Sequence, residues 1–99
     1  MSPSKVVRSN TKMLTDLPNI GPVIAQALQT VGIATPRDLV GRDPLELYAR
    51  LNRVTGTRHD PCVLDVFMSV TDFMNGSRAR PWWAYTQKRK HLLAQLDAS

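Results

Sequence analysis

Apolar residues recur at helical spacing along much of the chain. Ile24, Leu28 and Val31 form one stripe, and Leu47 or Tyr48 with Leu51 and Val54 form a second; neither stretch alternates as a strand would. From Cys62 to Met74 the chain is mostly apolar, and its polar positions Asp65, Ser69 and Asp72 fall at i, i+4 and i+7, on one narrow face. That pattern predicts a central, nearly buried helix. Its valines would suit a strand, but its length and single polar stripe favour helix. After Gly76 the segment Ser77 to Arg80 is predicted as a loop, and Pro81 opens a last helix with Trp82, Tyr85, Leu92, Leu93 and Leu96 as packing residues. Met13, Met68 and Met74 are expected to fill the core.

Start and stop signals divide these patterns into short helices. Thr35-Pro36 with Asp38, Asp43-Pro44 with Glu46, and Asp60-Pro61 each put a side-chain acceptor ahead of a proline, which is welcome at the first helical position and disruptive further in. Gly32, Gly41, Gly56 and Gly76 each follow a helical stretch, where a left-handed residue closes the last turn. A short helix is expected over Asn10 to Asp16, ending ahead of Pro18. Pro3, the serines and the charges before Asn10 predict a disordered segment over residues 1–9, followed by one domain over residues 10–99 with a basic C-terminal helix. The fold class expected is all-α, a compact domain of five or six helices.

Composition narrows the function. At 99 residues one hydrophobic core is expected. No apolar run approaches the ~18 residues of a membrane span, and the first ten residues lack the apolar stretch of a secretory signal, so the expectation is a cytoplasmic protein without a membrane partner. Cys62 is the sole cysteine, and with His59 and His91 it makes no zinc set. His59 and Cys62 are three residues apart, but Asp60 is better used as a helix cap and Cys62 as a packing residue, so no cofactor is expected. Thirteen basic against eight acidic residues give a net charge of +5. Residues 1–76 are nearly balanced at net +1 and residues 77–99 carry net +4, so the charge favouring a polyanionic partner sits at the C-terminal end, where the run Lys88-Arg89-Lys90-His91 reads as a solvated face.

The stretch richest in information is Leu17-Pro18-Asn19-Ile20-Gly21-Pro22-Val23-Ile24-Ala25, followed by Leu28, Gly32, Ile33 and Asp38-Leu39. Asn19 and Gly21 tolerate unusual backbone angles, and Ile20 between them can plug the core. Gly21-Pro22 then opens a helix whose N-terminal N–H groups and partial positive charge suit a phosphate oxygen. This arrangement resembles the helix-hairpin-helix family, whose hairpin reads glycine, hydrophobic, glycine after a leucine and proline. The resemblance implies a grip on nucleic-acid backbone without sequence reading, and a monovalent cation held by hairpin carbonyls. Asn19 stands where the first glycine is usual, Pro22 removes one N–H, and Val23 to Val31 contains no lysine or arginine, so cationic support must come from Lys12, Arg37 or Arg42.

Extended by Gly41-Arg42-Asp43-Pro44, Leu47-Tyr48, the run from Thr55-Gly56-Thr57-Arg58-His59-Asp60 to Pro61-Cys62-Val63-Leu64, and Pro81-Trp82-Trp83, the pattern also resembles the bacterial pathogenicity-locus or mitomycin-resistance-like proteins over Leu14 to Tyr85. To a lesser degree the hairpin and the helix that follows it are similar to the C-terminal domain of the competence regulator TfoX. The architecture implied is a pseudo-duplicated, SAM-like helix-hairpin-helix unit, with a second, degenerate hairpin over Thr55 to Asp60 that offers Arg58 and His59 to a phosphate.

These readings converge on a small non-catalytic module binding DNA backbone through Asn19, Ile20, Gly21, Val23 and Ile24, assisted by Lys12, Arg37, Arg42 and Arg58. About four neutralised phosphates would give a salt slope of roughly −3.6. Asp65 and Asp72 lack the further histidine or carboxylate that metal-assisted hydrolysis needs, so the chain is not expected to be an enzyme. The alternative is a protein-interaction or adaptor module using the Trp82/Trp83 or Tyr48 surface. Trp82, Trp83 and Tyr85 beside Arg78 and Arg80 also suit stacking on unpaired bases, although one tryptophan in the core and one at its edge is the commoner arrangement.

Overall fold

The computed structural model describes residues 12–98, and among them every regular element is helical. Four α-helices follow one another: α1 (Pro22–Thr30), α2 (Pro44–Thr55), α3 (Cys62–Met74) and α4 (Thr86–Ala98). Short 3-10 segments at Leu14–Asp16, Pro36–Leu39 and Trp82–Tyr85 lead into α1, α2 and α4 respectively. The expected disordered segment over residues 1–9 lies outside the described residues.

The starts follow the proline and cap signals. Pro22 and Pro44 occupy first helical positions, and the Asp43 side chain accepts the Leu45 N–H at 3.0 Å. The Asp60 carboxylate accepts the Cys62 N–H at 2.8 Å, taking one of the N–H groups that α3 cannot satisfy internally. At the other end of α2, Gly56 adopts φ 69°, a left-handed conformation that costs an ordinary side chain about 1–2 kcal/mol.

Helix α3 is the centre of the molecule. Every residue from Leu64 to Thr71 is buried, with Leu64, Phe67 and Val70 fully enclosed, so α3 is covered on all sides as an all-round apolar helix must be. Leu47, Tyr48 and Leu51 of α2 and Leu39 pack with it in one core, which Ala25 and Leu28 of α1 and Ile33 join. The Trp82–Tyr85 segment lies on another side, with Tyr85 buried.

The polar stripe of α3 ties other elements to the core. Asp65 is fully buried; its carboxylate accepts Arg89 Nε at 2.9 Å and Thr86 Oγ1 at 2.8 Å, both from α4. Ser69 Oγ accepts the Asn19 amide at 3.2 Å, and Asp72 faces the buried Tyr85 hydroxyl. Burial, reinforced by the Asp72 charge, pushes the Tyr85 phenol up to about 12.

Several expectations need correction. The helix anticipated over Asn10 to Asp16 is, in its described part, only the 3-10 turn Leu14–Asp16, because the Asp16 carboxylate folds back to accept the Lys12 and Met13 N–H groups at 3.0 and 2.9 Å. Met13, capped at that surface turn, is 65% exposed instead of filling the core. Val54 does not continue the α2 stripe inward, since it stands in the last turn before Gly56 and is 57% exposed. Tyr48 presents no surface: it is buried, and its hydroxyl donates to the His59 carbonyl at 2.5 Å. Arg89 is not part of a solvated face, being drawn inward by Asp65. The side chain of Leu96 lies outside those described.

Candidate nucleic-acid interface

The hairpin runs from Leu17 to Ile24 and is built by opposing demands on neighbouring residues. Leu17 and Ile20 are buried and anchor it from beneath, while Gly21 and Val23 are exposed. Between the anchors the backbone must reverse, and it does so at Asn19, which adopts φ 69°. Asparagine is among the few side chains that tolerate this region, so it substitutes conformationally for glycine. It also does what glycine cannot: its amide Nδ2 donates to Ser69 Oγ and, at 2.8 Å, to the Arg80 carbonyl.

Gly21 is unlike Asn19. Its φ of −100° and ψ of −177° are ordinary extended values, and a Cβ added there would meet nothing within 4 Å. The expectation that Gly21 serves an unusual backbone angle is therefore corrected; any residue fits this N-cap. The first bond of α1 runs from the Ala25 N–H to the Gly21 carbonyl at 3.0 Å, so the N–H groups of Val23 and Ile24 precede the helical ladder and have no acceptor within it. Val23 is 80% exposed, and Ile24 packs partly against the core.

The cationic residues divide into separate places. Lys12 and Arg37 meet at an open depression of about 350 Å³ that Thr35 and Pro36 complete among the described residues. Asp38, beside them, accepts the Ala34 and Thr35 N–H groups at 3.0 Å each, and these donors hold its carboxyl below the ordinary carboxylate value. Arg42 spends part of its charge on Glu46, at 3.5 Å across an exposed pair. Arg58 follows the opposite end of α2, a helix of twelve residues and hence about 18 Å long, so Arg42 and Arg58 do not share one contact. The loop that carries Arg58 is strapped to α2: Asn52 Oδ1 accepts the His59 N–H at 2.8 Å and lies 2.9 Å from His59 Nδ1. Those contacts and the Tyr48 hydroxyl bond give the loop a structural task of its own.

Arg80 is the residue that the sequence did not connect to the hairpin. It is exposed, and its carbonyl is fixed by Asn19, which stands 61 positions earlier. The following segment displays the tryptophan pair, with ring centroids 5.6 Å apart and planes at 85°. Trp82 packs against the core and Trp83 is 63% exposed, the one-in, one-out arrangement expected of adjacent tryptophans.

The Leu17 and Gly21 carbonyls accept the Ile20 and Ala25 N–H groups, and the Asn19 side chain is turned away to Ser69 and Arg80. Among the described residues no helix is long and apolar enough to cross a membrane.

The model of the Cdd1 family, described as pathogenicity locus, matches residues 7–91. A relative, the mitomycin resistance protein McrB of Streptomyces lavendulae, is 48% identical over 81 residues, which cover 82% of this chain and 77% of that protein. No solved structure matches. With the match spanning most of its length, the chain belongs to the pathogenicity locus family.

Proposed function

We propose that the chain is a non-catalytic helix-hairpin-helix module that binds DNA backbone without reading sequence. The observation that carries this reading is the bond between Asn19 and Arg80: it ties the backbone of an exposed arginine to the hairpin that precedes a helix N-terminus whose Val23 and Ile24 N–H groups have no acceptor in the helix. On this reading Arg80, far along the chain, is the cation that α1 lacks in its own sequence. On this reading the first hairpin is the phosphate clamp, with Lys12 and Arg37 extending it. The pseudo-duplication is then architectural, since the loop from Gly56 to Pro61 is occupied in tying α2 to α3.

Titration of the protein into labelled duplex DNA, followed by fluorescence anisotropy at two salt concentrations, tests this. Affinity is expected to fall with salt at a slope of roughly −3.6 for about four neutralised phosphates. Gly21→Glu is a clean perturbation, because the position is open and sterically ordinary and a carboxylate there suits the helix dipole. A folded Gly21→Glu protein that binds duplex as well as the original would rule out the hairpin as the clamp.

A second reading, a protein-interaction module, retains only the Trp83 part of its surface, since Tyr48 is enclosed.

A further inference from the structure

We infer that the hairpin face takes single-stranded nucleic acid in preference to duplex, with Trp83 as the platform on which an unpaired base stacks and Arg80 as the adjoining phosphate contact. This rests on the nucleic-acid reading above and adds the class of strand to it.

Trp83 is displayed by its neighbours. Pro81 opens the 3-10 segment, Tyr85 anchors its far end in the core, and Trp82 packs inward with its ring edge-on to that of Trp83. Trp83 is left 63% exposed on an ordered turn. Three residues before it, Arg80 is held by the hairpin through its carbonyl, so its Cα and that of Trp83 are at most about 11 Å apart.

The charge of the C-terminal segment favours a polyanion over an apolar partner. Residues 77–99 carry net +4, and Asp65 neutralises only Arg89 of the five basic residues. Arg78, Arg80, Lys88 and Lys90 are exposed, as are Ala84 and Gln87 in the residues that follow Trp83. Base faces are hidden in a duplex and open in a single strand, so an aromatic plane beside cations discriminates between the two.

The test compares the full-length chain with its Trp83→Ala variant on oligo-dT and on duplex DNA, both checked for folding by circular dichroism. A Trp82→Phe variant, which leaves Trp83 as the sole tryptophan, reports stacking by fluorescence. Loss of a stacked base is expected to weaken oligo-dT binding by about five-fold or more in Trp83→Ala while duplex affinity changes less than about two-fold. Trp83 fluorescence should be quenched by oligo-dT. Equal oligo-dT affinity in Trp83→Ala, or an unquenched signal, overturns the inference. If duplex binding then remains sensitive to Gly21→Glu, the backbone reading survives alone; if neither nucleic acid binds at low salt, both fall. Self-association that depends on Trp83, without oligo-dT quenching, also overturns it in favour of a protein-binding surface.

Discussion

The Asn19 amide nitrogen lies 2.8 Å from the Arg80 carbonyl oxygen and donates to it, joining the hairpin ahead of α1 to the segment that precedes the last helix. Asn19 also holds φ 69°. One residue thus supplies both the turn and the tie, and substitutions separate the two. Asn19→Gly keeps the backbone conformation and loses the hydrogen bonds to Ser69 and Arg80, for an expected destabilisation of about 1–2 kcal/mol. Asn19→Ala adds the left-handed penalty and is expected to cost about 2–3 kcal/mol. Urea unfolding of the two variants checks this; equal stabilities would mean that the turn is not under conformational demand.

The buried pair between Asp65 and Arg89 invites a different comparison. Removing Arg89 leaves a carboxylate enclosed with Thr86 as its remaining partner, so Arg89→Met is expected to destabilise by about 3 kcal/mol. Replacing both partners, as Asp65→Leu with Arg89→Met, should cost clearly less, since no uncompensated charge remains. A double variant no more stable than Arg89→Met would contradict the assignment of the penalty to the stranded carboxylate.

Much of the fold was legible because its signals are local. Pro22, Pro44 and the Asp60-Pro61 pair mark helix starts within a residue or two, and the apolar positions of α1 and α3 face the core as their spacing implies. Misreadings arose where a local contact overrode periodicity, as when Asp16 folded onto Lys12 and Met13 and cut a helix to a single turn. The Asn19 to Arg80 bond left no trace in spacing or pattern, since it joins two loops across the sequence. Arg89 belonged to a basic run indistinguishable from a solvated face until Asp65, on another helix, drew it inward.

Acid should weaken the turns before it reaches the core. Backbone N–H donors from Met13 and Lys12, from Thr35 and Ala34, and from Cys62 hold the Asp16, Asp38 and Asp60 carboxyls below their ordinary value of 3.8. A depressed folded-state value contributes stability that is complete above the unfolded value and is lost as pH falls through the folded one. Urea midpoints are therefore expected to be flat from neutral pH to about 5 with respect to these groups and to fall below about 4. Asp38→Asn should make that fall shallower; an unchanged acid limb would show that Asp38 does not contribute.

At alkaline pH the sign reverses. Among the described residues the enclosed Tyr85 hydroxyl has no partner in good hydrogen-bonding geometry, and burial, the Asp72 charge and the approach of the Asp72 carboxylate favour its neutral form up to about 12. The stability this gives is complete below the ordinary value of 10.0 and is lost as pH rises from there towards 12. Tyr85→Phe removes a buried hydroxyl that makes no well-formed bond to a described residue, so it is expected to be neutral or slightly stabilising at pH 7 and to flatten the alkaline limb. A loss of more than about 1 kcal/mol at pH 7 would show that the hydroxyl has a partner after all.

The most direct test of the hairpin as a nucleic-acid contact is titration of the isotopically labelled protein with a short DNA duplex at low salt, following each backbone amide by NMR. The amides of Gly21, Val23, Ile24 and Arg80 should shift first and furthest, while those of Arg58 and His59, on the strapped loop beyond α2, stay in place. Shifts confined to the Arg58 loop, or no shifts at all, would contradict the assignment of the phosphate clamp to the hairpin at Asn19.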